Sequence, residues 1–235
     1  MLKHPNLYRH SKIKIPSKGW GGLRFWKMVW PRVLKGIQKS EVSVLPHPNV
    51  VFKAFRNLHI DDVRLVVVCN EPYSQAGIAH GLTLSTPYRP ENMLPHALSV
   101  FLKELKEDVR GRTKRKRFGD LSAWTSRGIL LLNTALTVEE GNPNSHTEVG
   151  WGLLIHEICS KLSFESETPI AFLLIGYDAR NYKGAIWNQH RHLVITVNYP
   201  AQILYRSKRR FRGSRPFSKI ARFLNVNPQV FFSLT

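Results

Sequence analysis

Four short runs of almost unbroken apolar residues, Leu65–Cys69, 129–132, Ala171–Ile175 and Leu193–Val197, constrain this sequence more than any other feature. Runs of this length, rich in Val, Ile and Leu, read as strands buried on both faces. Helical patterns lie between them. Leu98, Phe101, Leu102 and Leu105 recur at helical spacing within 95–109, and Leu153, Leu154, Ile158 and Leu162 do so within 149–162. Runs alternating with helices predict an α/β fold with a mostly parallel, four-stranded central sheet flanked by helices. No internal repeat, low-complexity tract or Pro/Gly/Ser linker divides the chain, so a single domain is expected. Each run ends in a polar or glycine-containing turn, at 70–74, 133–137, 176–178 and 198–202. Ligands of open α/β sheets bind at the carboxyl ends of the strands, so these four turns are expected to converge on one site.

Charge narrows the class of partner. The 235 residues hold 35 Lys and Arg against 16 Asp and Glu, a formal net charge of +19. Self-repulsion on that scale is relieved most simply by a polyanion, and nucleic acid is the expected ligand. The segments 110–117 (RGRTKRKR) and 206–215 (RSKRRFRGSR) together supply 12 of the 35 basic residues, and the first 39 residues carry ten Lys or Arg and no acid. An acid-free basic N-terminus also suits an organellar transit peptide, but Trp20, Trp26, Trp30 and Pro31 point to packed structure instead. No apolar run approaches the roughly 20 residues of a membrane-spanning helix, so no membrane partner is expected. Two cysteines, Cys69 and Cys159, are too few for a disulfide framework or a four-ligand zinc site; they suit a reducing intracellular compartment, with nucleus, cytoplasm and mitochondrion all open. No metal-ligand spacing and no Gly-rich phosphate loop occurs, so neither metal nor cofactor is expected.

The turns themselves carry a resemblance. C-N-E-P-Y-S-Q-A-G-I-A-H-G-L-T-L-S at 69–85 resembles the water-activating motif of family 1 uracil-DNA glycosylases. LLLNTALTV at 130–138 resembles the uracil-reading motif, with Asn144-Ser145-His146 and Gly150-Trp151 as its continuation. LLIGYDARNYKGA at 173–185 resembles the segment with the family's Gly-Ser loop, and RHLVITVNYPAQILYR at 191–206 stands where the DNA-intercalation loop belongs. RPFSK at 215–219 matches the segment that follows. The similarity covers roughly 45–220. It implies a glycosylase-like domain at 45–225, preceded by a basic N-terminal extension and helix packed on it (1–44) and followed by a C-terminal tail (226–235).

The resemblance also implies roles. Uracil is read after flipping out of the stack, and its N-glycosidic bond is hydrolysed. Asn133 matches the Asn whose amide both donates to and accepts from uracil, and Tyr73 matches the Tyr that walls off a thymine methyl. Other positions depart from the pattern. Glu71 stands for the Asp that orients water and balances the cationic sugar, one methylene further out. Asn70 stands for Gln, Ser74 for His, and Leu84 for the Phe that stacks on uracil. The loop after the last strand lacks the family's catalytic His. Counting from Arg191-His192 puts Tyr199 at that place, and counting back from Tyr205-Arg206 puts Asn198 there. His190 and His192 correspond to residues before the last strand and read as structural. Gln202, Ile203 and Leu204 compete for the place of the intercalating Leu.

His80, Ser85, Gly176 and Tyr177 stand where the family grips phosphates. Lys114, Arg115, Lys116, Arg117, Arg206, Lys208, Arg209, Arg210 and Arg212 add positive charge beyond the motifs. Two readings stand at this point. One is a uracil-DNA glycosylase with a substituted and weakened site, in which Glu71, Tyr199 or Asn198 does the chemistry and Asn70, Tyr73, Leu84 and Asn133 hold the base. The other is a catalytically inactive DNA- or RNA-binding subunit of a replication or ribonucleoprotein assembly.

Overall fold

The structure, a computed structural model, describes residues 5–87, 89–109, 119–202 and 210–234. The chain begins with helices α1 (Arg24–Met28) and α2 (Trp30–Gln38), the two-residue strand β1 (Val44–Leu45) and the short helix α3 (Lys53–Arg56). The first apolar run forms β2 (Leu65–Cys69), followed by α4 (His96–Val109) and β3 (Ile129–Asn133). After β4 (Val138–Glu139) come α5 (Trp151–Glu165), β5 (Ala171–Ile175), α6 (Tyr177–Arg180), β6 (Leu193–Val197), α7 (Pro216–Phe223) and α8 (Pro228–Phe231). Both expected long helices form, with the second shifted: its pattern at 149–162 becomes Trp151–Glu165, because Gly150 sits at φ +115° as its N-cap. The α/β class and the mostly parallel four-stranded sheet are as the sequence predicts.

The sheet order is β3-β2-β5-β6, and every neighbouring pair is parallel. Register puts Cys69 beside Asn133 and Ile175 beside Val197, so the strands end level and their turns emerge on one rim. β2, β3 and β5 are buried along their whole length, as runs covered by helices on both faces should be. β6 differs from the expectation of a fourth buried strand. It lies at the sheet edge, and Leu193–Thr196 are only half-buried.

One continuous cluster of buried residues runs from Tyr8 to Leu234. Trp20, Trp26 and Trp30 all lie within it, as the reading of packed structure at the N-terminus required. Their rings meet those of Phe52, Phe55 and Trp151 at centroid separations of 5.0–5.4 Å. Both oxygens of Glu157 on α5 accept from the first backbone N–H groups of α1, Arg24 N at 2.6 Å and Phe25 N at 2.8 Å, capping that helix from a distant element. At the other end, Phe232 packs edge-on against Trp124 and Phe217, so the C-terminal stretch is anchored in the same core. Among the described residues no helix is long and apolar enough to cross a membrane.

Candidate active site

The turns after β2 and β3 and the loop after β6 line a narrow crevice whose cavity volume is only about 10 Å3, well below the range for ligand sites. Asn70, Glu71, Tyr73, Leu84, Asn133 and Tyr199 all line it. Six of the residues expected to bind or process a base therefore come together, from segments up to 129 positions apart. Asn133, at the last position of β3, is 6% exposed, and its Nδ2 donates to the carbonyl of Asn70. That bond uses one of its two N–H groups and leaves the other, with Oδ1, for a ligand.

Glu71 is half-buried, and its Oε2 accepts from the backbone N–H of Asn144 at 2.6 Å. Burial raises its carboxyl above the ordinary value; the Asn144 bond works against that rise and the negative charge of Asp178 adds to it. Burial, with further contributions from Tyr199 and Cys69, keeps the Tyr73 phenol protonated far above neutral pH, and the Tyr73 hydroxyl is buried without a hydrogen-bond partner. The Tyr199 phenol is held up likewise, by burial first and then by Cys69 and Glu71. Both phenols are donors at every physiological pH. Leu84 turns its side chain into the crevice from a backbone at φ +53°, a left-handed conformation that a branched apolar residue adopts only when its surroundings impose it.

Of the two candidates for the missing His, Tyr199 lines the crevice. Asn198 is buried outside that lining, where its Oδ1 accepts from Arg180 Nη2 at 3.0 Å. Beneath the rim, Gly176 has φ +99°, and a Cβ there would stand 2.3 Å from Asn70 Oδ1. That oxygen is buried with no hydrogen-bond partner. Glycine is thus what allows the turn after β5 to press against the turn after β2.

The residues expected at phosphates separate into three groups. Tyr177 is 74% exposed, and Arg210 and Arg212 are exposed. Ser85 corrects the expectation: it is 0% exposed and its hydroxyl is engaged inside the protein. Its Oγ accepts from His80 Nε2 at 2.6 Å and from Leu121 N at 2.9 Å, and donates to the Gly119 carbonyl at 3.1 Å. His80 is nearly as deep, and its Nδ1 accepts from Lys53 Nζ at 2.8 Å. Burial, then the Lys53 charge, lowers His80 to about 4 against the opposing pull of Asp120, so a neutral ring holds this network together. Gly176 is itself buried. Lys114, Arg115, Lys116, Arg117, Ile203, Leu204, Arg206, Lys208 and Arg209 lie outside the described residues.

His192 is buried, accepting from Ile170 N at 3.1 Å and donating to the Ser163 carbonyl at 2.9 Å, which is the structural role read from its position. Burial pushes the thiols of Cys69 and Cys159 up to about 12, so neither is a thiolate. Among the described residues no group of three His, Cys, Asp or Glu side chains could hold a metal ion.

Several participants were not singled out from sequence. Asp178 and Arg180 sit inside a quoted motif without a signal of their own. Glu104 on α4 accepts from Gly213 N at 2.7 Å and Arg215 N at 2.9 Å, and Asp108 one turn later accepts from Ser218 N at 2.9 Å, so two carboxylates of α4 hold the end of the basic stretch and cap α7. A helix periodicity that marks Leu98, Phe101 and Leu105 as inward-facing gives no reason to expect a fully packed Glu104 beside them.

No family model matches the chain. A curated uracil-DNA glycosylase of Shouchella clausii is 39% identical over 185 residues, covering 79% of this chain and 76% of that protein. The uracil-DNA glycosylase of Dictyostelium discoideum is 32% identical over 219 residues, covering 93% of this chain, which spans only 61% of that relative's length. Among solved structures, mimivirus uracil-DNA glycosylase superposes with a TM-score of 0.74 over 89% of this chain and 83% of its own, at 19% identity. At that identity the superposition speaks for the fold alone. Because the Shouchella clausii relative, at 39% identity, is covered over more than two thirds of its length, the family is established on sequence as well as on shape: the chain belongs to the uracil-DNA glycosylase family.

Proposed function

We propose that the chain hydrolyses the N-glycosidic bond of deoxyuridine in DNA, without a cofactor, in the crevice at the ends of β2 and β3. The observation that carries this reading is the meeting of a half-buried carboxylate, Glu71, with the Asn133 amide and the phenols of Tyr73 and Tyr199 in one crevice. A flipped uracil presents adjacent carbonyl and N–H groups, which the free N–H and Oδ1 of Asn133 complement. Tyr73 stands against the ring where thymine carries a methyl, and Leu84 supplies apolar contact on its face. With Oε2 held by Asn144, the second oxygen of Glu71 is left to orient water and offset the positive charge that develops on the sugar. Tyr199, kept protonated by burial, donates to the carbonyl oxygen of the departing uracil. Arg210 and Arg212 are placed to meet phosphates, and the basic residues outside the described segments extend the same charge.

DNA is the partner in this reading; RNA, or protein subunits of a larger assembly, belong to the alternative in which the crevice is silent. Both thiols are free and buried, which suits a reducing intracellular compartment.

Single-turnover release of uracil from single-stranded DNA at protein excess tests the reading, because a single strand removes the cost of flipping. Release that Glu71→Gln and Asn133→Ala both abolish is the expected result. No release above buffer, with equal salt-sensitive binding of uracil-containing DNA, thymine-containing DNA and RNA, would overturn it and leave a binding subunit.

A further inference from the structure

Beside the crevice lies a second recess that no motif marks. The segment 12–17 and the segment 48–56 form its two walls, around a space of about 750 Å3. Lys12 and Lys14 stand on one wall and Arg56 on the other, all three exposed. No carboxylate lines it, and among the described residues these three cations form no ion pair. Three like charges facing an open recess without a counter-charge raise the potential there, and a concave wall focuses it.

The recess also shares a wall with the crevice. Gly81 lines the crevice, and its Cα comes so close to Val50 of the recess that a Cβ would stand 1.8 Å from the Val50 carbonyl oxygen and 3.0 Å from Lys53 Cβ. We propose that this recess is a second binding site for the phosphodiester backbone, taking the stretch of strand that flanks a base held in the crevice. A recess with cations on both walls fits a strand that enters it, whereas a lipid bilayer is flat and meets protrusions. The proposal rests on the crevice being the place of the flipped base.

Its test is the salt dependence of binding to a single strand carrying one non-cleavable 2′-fluoro-deoxyuridine, measured for the full chain. The combined variant Lys12→Gln, Lys14→Gln, Arg56→Gln is compared with wild type and with the charge-preserving variant Lys12→Arg, Lys14→Arg, Arg56→Lys. Each lost contact with a single-stranded phosphate reduces the slope of log K against log salt by about 0.7, so the neutral variant should lose about 2 from its slope on a strand long enough to span both recesses. The charge-preserving variant should keep the wild-type slope, and on a strand too short to leave the crevice all three should agree. An unchanged slope for the neutral variant on the long strand would overturn the proposal, as would an equal loss on the short one. Loss of binding to phosphatidylserine vesicles with an unchanged DNA slope would also overturn it, reassigning the recess to lipid headgroups. Because the uracil in this strand is not released and only binding is read, loss of turnover leaves this measurement valid, and a failed slope leaves uracil release to be judged separately.

Discussion

Glu71 carries its carboxylate one methylene further from the backbone than the Asp its motif leads one to expect, and Asn144 N–H takes up one of its oxygens. A base must be deprotonated to orient water, and Glu71 binds its proton more tightly than an ordinary carboxyl. Uracil release should therefore rise with pH along a limb whose midpoint lies above the usual Glu value of about 4.3. Asp178→Asn removes the like charge and should move that limb to lower pH, read from single-turnover rates across the acid range. Tyr199→Phe deletes one preorganised donor and should slow release by on the order of 10²–10³-fold. Asn198→Ala should fall well short of that if Tyr199 is the donor, and a reversed ranking would reassign the role. The motifs disclosed which residue types face the crevice, since Asn133, Tyr73 and Glu71 sit at fixed offsets from the strand ends. They did not separate Tyr199 from Asn198, because a loop one residue short aligns equally well from either side and only the crevice lining tells them apart. Nor could a motif show that Ser85 points inward, for its partners Gly119 and Leu121 are more than thirty residues away.

At the scale of elements, β2, β3 and β5 were legible because burial on both faces leaves an apolar run with no polar interruption. β6 reads the same way in sequence, yet it is half-buried at one edge of the sheet while β3 at the opposite edge is buried throughout; which edge the rest of the fold covers is set by long-range packing, and no local pattern encodes it. The junction of β5 and α6 shows an element boundary fixed by sterics. Gly176→Ala would place a Cβ 2.3 Å from Asn70 Oδ1 at a backbone angle that L residues rarely adopt. We expect a loss of stability on the order of 1–3 kcal/mol in urea or thermal unfolding, together with slower uracil release as Asn70 is displaced from the crevice. An alanine variant with wild-type stability would show that the two turns are not pressed together in solution. α4 has a second task besides packing: Glu104 and Asp108 on successive turns hold the backbone at 213, 215 and 218, so the basic stretch returns to the fold at a fixed place.

Across the whole molecule, the N-terminal segment is continuous with the core of the sheet. The ring contacts of Trp26 and Trp30 with Phe52 and Trp151, and the Glu157 cap on α1, tie residues before β1 to elements on both sides of β2 and β3. Unfolding of the extension and of the sheet should therefore be a single event. Trp20, Trp26, Trp30 and Trp151, four of the six tryptophans, sit in that one aromatic cluster. Intrinsic fluorescence should consequently be dominated by the seam between extension and sheet, and its thermal midpoint should coincide with that of far-ultraviolet circular dichroism; an emission change that precedes the loss of dichroism would mean the extension detaches first. The cluster thus gives the protein a built-in optical gauge of its own N-terminal seam, one that needs no label.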